Sequence, residues 1–470
     1  MGGPMTEPGT TVAPVRAVPT PDDAELDVVR SWAPTQRWFP EKDQATALER
    51  IGVIDLTDPL GEAQVRLHLL ALPSGAVLQV PTTTRPGGTQ APGAPGVLGP
   101  VPGGWLLDGP HDPAFVRAWL AAAHDDGGAP GSIGAPKVSP GEQSNTSVLL
   151  PGADRPAILK VFRVLTRGPN PDVEVPLALS RAGWTGVPRP LAWLPGAWTG
   201  ADGSAAVGHL GVLSELVQGA EDGFRLACRY AREGRSFALL AAELGRTTAQ
   251  LHRALRRAIP VHAGQETPDR PGEPPEHALV RQVVGTLRER AEAAFSRVPE
   301  LAERARAVHA AYDRLELLTS VPELQRVHGD YHLGQVLRSG GATSGAASGP
   351  DDGRETGRWY VLDFEGEPQA SGDEKTRPDL ALRDLAGMLR SLDYAAAVGG
   401  AGDPAWLAQA RANLIAGYEG AIGGTPDLAV ILPALELDKA IYEVVYESGN
   451  RPDWVHIPLA GVDRLLTRGD

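Results

Sequence analysis

Hydrophobic positions along this chain follow a two-residue period in the first half and a helical period in the second. Alternating or apolar runs at 51–56, 65–72 and 75–80 predict strands, and Ser74 with Gly75 marks a hairpin turn. Before them Leu26, Val29 and Trp32 recur at helical spacing, so residues 22–32 predict a short amphipathic helix. A stretch of mostly Gly, Pro, Thr and Val at 84–104 reads as a surface loop, followed by a strand at 105–108 and a helix at 113–123. Residues 22–130 therefore form an α+β module of limited size. The tail ahead of it, 1–21, is rich in Pro, Gly and Thr and is expected to be disordered.

From about residue 136 the pattern changes. Strands at 148–150 and 157–162 flank a turn, a helix follows at 172–182, and strands come at 189–194 and 209–217. This second module is bounded at 131–220. Beyond it the period is helical. Residues 236–258 place Leu239, Leu240, Leu244, Leu251 and Leu255 on one side, and 277–317 hold one or two more helices. Further helices are expected at 381–397, 404–421 and 433–448, in a region taken as 221–470. Residues 339–357, mostly Ser, Gly, Ala and Thr with acids, read as a flexible insert at a hairpin tip. No internal repeat stands out.

Composition narrows the function classes. At 470 residues the chain is long enough for two or three domains. A formal charge of −14 disfavours nucleic acid and membrane surfaces, which are themselves anionic. A single cysteine, Cys228, excludes an internal disulfide framework and any multi-cysteine zinc site, and suits a reducing cytoplasm. No run approaches the roughly 18 apolar residues of a membrane span, and the first residues lack the pattern of a signal peptide.

Two motifs carry the chemistry. Val327 to Arg338 reads VHGDYHLGQVLR, and Val361 to Gly366 reads VLDFEG. Phosphoryl transfer asks little covalent work of a protein beyond a positioned acceptor oxygen and metal ions on the phosphates. Asp330 is placed to take a proton from a hydroxyl, with His328 pinning its loop. Gln335 and Asp363 supply the hard oxygens that magnesium demands, with Glu365 and then Glu367 near enough in sequence to join them. Alone, the His-Gly-Asp tripeptide is an ordinary turn; the three oxygen-bearing residues in this order are what point to a small-molecule kinase.

Supporting residues lie upstream and downstream. Lys160 interrupts an apolar strand and must either snorkel to water or meet an anion. Glu174, opening the next helix, is its expected partner, and the pair would reach ATP phosphates, although strand-to-helix ion pairs are also common on their own. Ser144, Asn145, Thr146 and Ser147 form either a polar hairpin loop or a set of phosphate donors. The strand from Leu213 to Val217, with Glu215, would run into a hinge where main chain meets adenine. Lys439, Tyr442, Glu443 and Tyr446 share one helix face. That face suits a sugar, or else holds a Lys–Glu pair with tyrosines against the core. Arg451 and Trp454 just beyond are placed to close the same site. The fold expected from this order is α+β: a bilobal protein-kinase-like fold with an N-terminal cap and a mainly helical C-lobe.

Strings spread over nearly the whole chain resemble the actinobacterial maltokinases, relatives of the aminoglycoside-phosphotransferase branch of eukaryotic-like kinases. They run at Gln36–Pro40, Leu107–Pro113, Glu142–Ser147, Lys160–Arg163, Asn170–Glu174, Val327–Arg338, Leu362–Pro368 and Leu437–Pro458. The resemblance implies ATP- and Mg2+-dependent phosphorylation of maltose at its anomeric hydroxyl, giving maltose 1-phosphate for α-glucan synthesis. It implies Asp330 as base, Gln335 and Asp363 as metal ligands, Lys160 on phosphate, and Lys439, Glu443 and Tyr446 at the sugar. It also implies that 22–130 is a cap domain and that a separate trehalose synthase is a partner. Gln335 departs from the wider pattern, where asparagine is usual. Glucosamine kinases share the scaffold, and only the acceptor site separates them. A pseudokinase would have lost one of Lys160, Asp330, Gln335 or Asp363, and all four are present.

Overall fold

A computed structural model describes residues 13–40, 48–86, 93–140, 144–200, 202–261, 274–340, 357–367 and 375–467. The chain divides into two compact units. One comprises residues up to Leu177 with Pro188–Gln218, the other Ala178–Val187 with Gly219 onward.

The first unit starts with β1 (Val15–Arg16) and α1 (Ala24–Trp32), whose N-cap Asp23 accepts from the Leu26 amide at 3.0 Å. Strands β2 (Glu49–Thr57), β3 (Gln64–Ala71), β4 (Val77–Pro86), β5 (Val97–Val101) and β6 (Gly104–Asp108) follow. Next come α2 (Pro113–Ala122), β7 (His124–Asp125), β8 (Lys137–Val138), β9 (Thr146–Leu150), β10 (Ala157–Val161) and β11 (Val164–Leu165). Helix α3 (Pro171–Arg181), β12 (Pro190–Thr199) and β13 (Ala205–Glu215) complete the set. One sheet runs β2-β3-β4-β6-β5 with β11 beside β4; the other runs β1-β12-β13-β10-β9-β8 with β7 beside β12.

These two sheets share one core. Leu67 and Leu69 of the first, Phe115 and Trp119 of α2, and Val148 and Leu213 of the second belong to a single buried cluster. Gln79 on β4 donates from Nε2 to the carbonyls of Phe162 and Leu210 at 2.7 and 2.9 Å. Arg163 is fully buried, donating to both Asp108 carboxylate oxygens at 2.8 Å and to Thr146 Oγ1 at 2.8 Å, with its guanidinium 4.6 Å over the Trp38 ring. A buried guanidinium is costly unless its charge is paired, and the Asp108 carboxylate supplies that counter-charge. The boundary expected at 130 thus falls inside one hydrophobic core.

Two further expectations change here. In the tail, β1 pairs in parallel with β12, while residues 1–12 lie outside the described residues. Within 84–104, β4 reaches Pro86 and β5 pairs with β6. Gly99 and Pro100 hid that strand, and β5 is the last in its sheet, where a proline deprives no neighbour of a ladder bond.

The second unit is mainly helical. It contains β14 (Ala220–Asp222), α4 (Gly223–Arg232), α5 (Ala238–Ala258), α6 (Pro275–Phe295), α7 (Pro299–Ala302) and α8 (Ala305–Glu316). Then come β15 (Val336–Ser339), β16 (Trp359–Val361), α9 (Leu382–Gly399), α10 (Pro404–Ile422), α11 (Leu428–Asn450) and α12 (His456–Thr467). Helices α4 and α12 were not anticipated. Leu240, Leu244, Leu251 and Leu255 are buried as expected, but Leu239 is 78% exposed, so the apolar stripe of α5 is narrower. Helices α5 and α10 meet at Gly245 and Gly417, where a Cβ would lie 2.1 Å from a carbonyl of the facing helix. The short sheet β14-β15-β16 carries the two sequence motifs at its ends. Of the insert expected at 339–357, residues 341–356 lie outside the described residues.

Candidate active site

The loop Val327–Gln335 is held by one buried carboxylate. Asp384, near the start of α9, accepts from the His328 amide at 2.9 Å, the Gly329 amide at 3.0 Å and His252 Nε2 at 3.0 Å. His252 Nδ1 contacts the Tyr418 hydroxyl at 3.0 Å, extending the chain of polar contacts to α10. Burial pushes the Asp384 carboxyl up, but the hydrogen bond and charge of His252, with His328, hold it below the ordinary range. His328 does pin the loop, donating from Nε2 to the Leu362 carbonyl at 2.8 Å between the rings of Tyr331 and Phe364. Asp384 and His252 were missed by sequence reasoning.

The β15–β16 pairing brings the metal candidates together. Gln335 immediately precedes β15, Asp363 is the second residue after β16, and Val336 faces Val361 across the ladder. Gln335 Nε2 donates to Asp363 Oδ2 at 2.9 Å, and the Leu362 amide donates to the Gln335 carbonyl at 2.9 Å. Asp363 sits at φ 58°, a left-handed backbone that non-glycine residues rarely adopt. A Glu365 oxygen lies within 4.8 Å of one from Asp363. Two carboxylates this close offer hard oxygens of the kind a magnesium ion takes, whereas Gln335 meets Asp363 through its amide nitrogen.

Lys439 reaches the Val327–Gln335 loop from α11. Its Nζ lies 3.3 Å from Asp330 Oδ1 and 2.7 Å from Glu367 Oε1, and 4.7 Å from the Tyr442 ring centre. Burial penalises both charges. The charges of Glu367 and Asp330 nevertheless raise the Lys439 pKa, while Lys439, His332 and His328 hold the Asp330 carboxyl below its usual range. Both groups therefore stay ionised at neutral pH.

Beside them opens a cavity of about 200 Å³, lined by Arg290 of α6 and Arg297 just after it, by Lys439, Tyr442 and Tyr446 of α11, and by Glu367. The two tyrosine rings stack with centroids 6.4 Å apart. Burial, then the nearby Glu367 charge, pushes the Tyr442 phenol up to about 12. Glu443 does not line this cavity. Its Oε2 accepts from Arg390 Nε at 2.8 Å, and Arg390 in turn joins Asp393. The polar face of α11 meets two neighbours, and Glu443 lies on the edge turned to α9. Arg451 bonds Glu447 and covers the Tyr446 and Trp454 rings at 5.8 and 4.5 Å, outside the cavity lining.

In the first unit, Lys160 meets a different partner from the one expected. Its Nζ is 2.5 Å from Asp172 Oδ2, while Glu174 is exposed on α3. Two residues along a helix turn a side chain by about 200°, so Asp172 and Glu174 cannot both face the strand. The donor loop is also more structural than expected. Asn145 and Thr146 are buried, with Asn145 Oδ1 accepting the Arg163 amide at 3.3 Å and Thr146 Oγ1 taking Arg163 Nε. Ser147 is buried within β9, and Ser144 is exposed. Glu215 ends β13 within 3.4 Å of both Arg155 and Arg189, and the half-buried Val217 follows two residues on.

Known proteins bear on this geometry. Residues 32–112 match the model of the maltokinase N-terminal cap domain. A glucosamine kinase from Streptacidiphilus jiangxiensis is 30% identical over 314 residues, 62% of this chain and 64% of that protein, just under two thirds of its length. One from Mycolicibacterium smegmatis is 28% identical over 342 residues, 70% of this chain and 79% of that one. The solved structure of a glucosamine kinase in complex with glucosamine, ADP and inorganic phosphate superposes with a TM-score of 0.61 at 23% identity. It covers 94% of this chain and 98% of its own. The fold is therefore α+β and kinase-like, with an N-terminal cap and a helical C-terminal region. Among the described residues no helix is long and apolar enough to cross a membrane.

Proposed function

We propose that this chain is an ATP-dependent sugar kinase that phosphorylates maltose at its anomeric hydroxyl, giving maltose 1-phosphate for α-glucan synthesis in the cytoplasm. The observation that carries the reading is Asp330, fixed on its loop and kept ionised by Lys439, which itself lines the cavity beside stacked tyrosines. Asp330 would accept the proton as the sugar oxygen bonds to the γ-phosphorus and ADP leaves. Lys160, steadied by Asp172, would take the α and β phosphates. Ser144 and the main chain near Val217 remain the candidate contacts for phosphate and adenine. Magnesium, held by Gln335 and Asp363 with Glu365 beside them, would supply charge neutralisation on the phosphates. A separate trehalose synthase partner belongs to the same reading.

The charges in the cavity favour a neutral acceptor. Glu367 is tied to Lys439, and Asp438 to Arg383 at 2.7 Å and Arg290 at 3.2 Å, while Arg297 adds another cation. A sugar ammonium would meet more positive than negative charge there. The second reading, glucosamine as acceptor, draws on the names of the relatives. ADP release measured with maltose and with glucosamine separates them. Turnover of glucosamine alone would reassign the acceptor, and turnover of neither would sink the sugar-kinase reading.

A further inference from the structure

The second unit carries another cavity, of about 310 Å³, that no step of the proposed reaction uses. Arg246 and Gln250 of α5 line it, together with Arg338 of β15, Arg358 just before β16, and Trp184 and Thr185 on the loop after α3. It opens at the far end of the β15–β16 hairpin from Gln335 and Asp363, roughly 10 Å along the strands. None of its lining residues is shared with the cavity beside Lys439.

The lining of this cavity is positively charged. The chain carries −14 overall, yet three arginines gather here around one carboxylate, Glu243. Arg338 is buried and bonds Glu243 at 2.7 Å, so those two charges cancel. Arg246 and Arg358 are exposed and leave the cavity positive. One of its walls is also fixed in advance. Arg358 lies 4.3 Å over the Tyr360 ring and donates to Thr185 Oγ1 at 3.3 Å. The Trp184 ring folds over Gly186, where a Cβ would lie 2.3 Å from it, and the Gly186 carbonyl accepts from the Val361 amide at 2.8 Å. Guanidinium groups match oxyanions in a forked, charge-assisted geometry, and an indole offers its face to a ring. A pre-formed site keeps more of that interaction as affinity.

We propose that this cavity binds a small sugar phosphate, its oxyanion taken by Arg246 and Arg358 and its ring resting on Trp184. The assignment does not depend on which sugar the enzyme phosphorylates.

The test is calorimetric titration of the full chain with glucose 1-phosphate, inorganic phosphate and glucose, in excess magnesium and ADP to fill the nucleotide site. The phosphate ester should bind, inorganic phosphate more weakly, and glucose not at all. Combining Arg246→Ala with Arg358→Ala should weaken the ester by at least about tenfold, since each charge-assisted bond is strong. The KM for ATP should stay unchanged. Trp184→Ala should weaken the ester but leave inorganic phosphate as before. Absence of binding, equal binding by the double variant, or binding of glucose as tight as its phosphate would each overturn the proposal.

Discussion

Replacing Asp384 by asparagine tests whether one buried carboxylate sets the geometry of the loop that carries Asp330. The change preserves volume, so no cavity forms. An aspartate accepts all three donors, whereas asparagine offers one acceptor oxygen and an amide that is itself a donor. With the oxygen on the side of His328 and His252, the Gly329 amide faces an N–H; flipped, the other two donors are stranded. An orphaned buried donor costs about 1–3 kcal/mol, and the bonds that survive lose their charge assistance, about 1 kcal/mol in total or somewhat more. The loop should therefore open more easily by about 2–4 kcal/mol, which is at least about thirtyfold in amide exchange where opening limits it. Exchange followed by mass spectrometry on a peptide spanning 327–333 reads this directly. Turnover should fall by about a hundredfold, the scale of a 1 Å misplacement, while the KM for ATP barely moves. Unchanged exchange together with unchanged turnover would refute the idea that Asp384 places Asp330.

Three more outcomes follow from the geometry. Asp330→Asn should abolish turnover and leave ATP affinity, measured by equilibrium titration, nearly intact; lost ATP binding would reassign Asp330 to a structural role. Lys439→Met removes the cation that holds the Asp330 carboxyl down, so burial then acts unopposed by it and the pKa rises. Because the base works only when ionised, the acid limb of the kcat–pH profile should move to higher pH, and superimposable profiles would count against the pairing. Asp172→Asn should raise the KM for ATP about tenfold or more by leaving Lys160 unsteadied, whereas Glu174→Gln should change it less than about twofold; the reverse ranking would restore Glu174 as the partner.

Residues that act near their own place in the chain were legible in advance. Asp330, Gln335 and Asp363 fall on loops at the ends of two short strands, and pairing those strands was enough to bring the last two together. Lys160 was legible because a cation in an apolar strand needs an anion. Its partner was harder, since the choice between Asp172 and Glu174 turns on how α3 is rotated against β10. Glu443 was misplaced for a related reason: the face of α11 it shares with Lys439 is broad, and Arg390 claims one edge of it. Asp384 looked like one charge among several in an amphipathic helix. The signal was present in the apolar residues on nearly every face of α9, which leave no solvent for a charge to meet.

Local order, then, comes from the chain itself: hydrophobic period sets where strands and helices lie, and motif spacing sets which groups end up on one turn. What only packing decided is which charges are satisfied and by whom. Arg163 with Asp108, Asp384 with the loop amides, and Arg390 with Glu443 join segments 53–56 residues apart. A buried charge must find its counter-charge wherever the fold brings one, and that meeting is a property of three-dimensional proximity that no local pattern encodes.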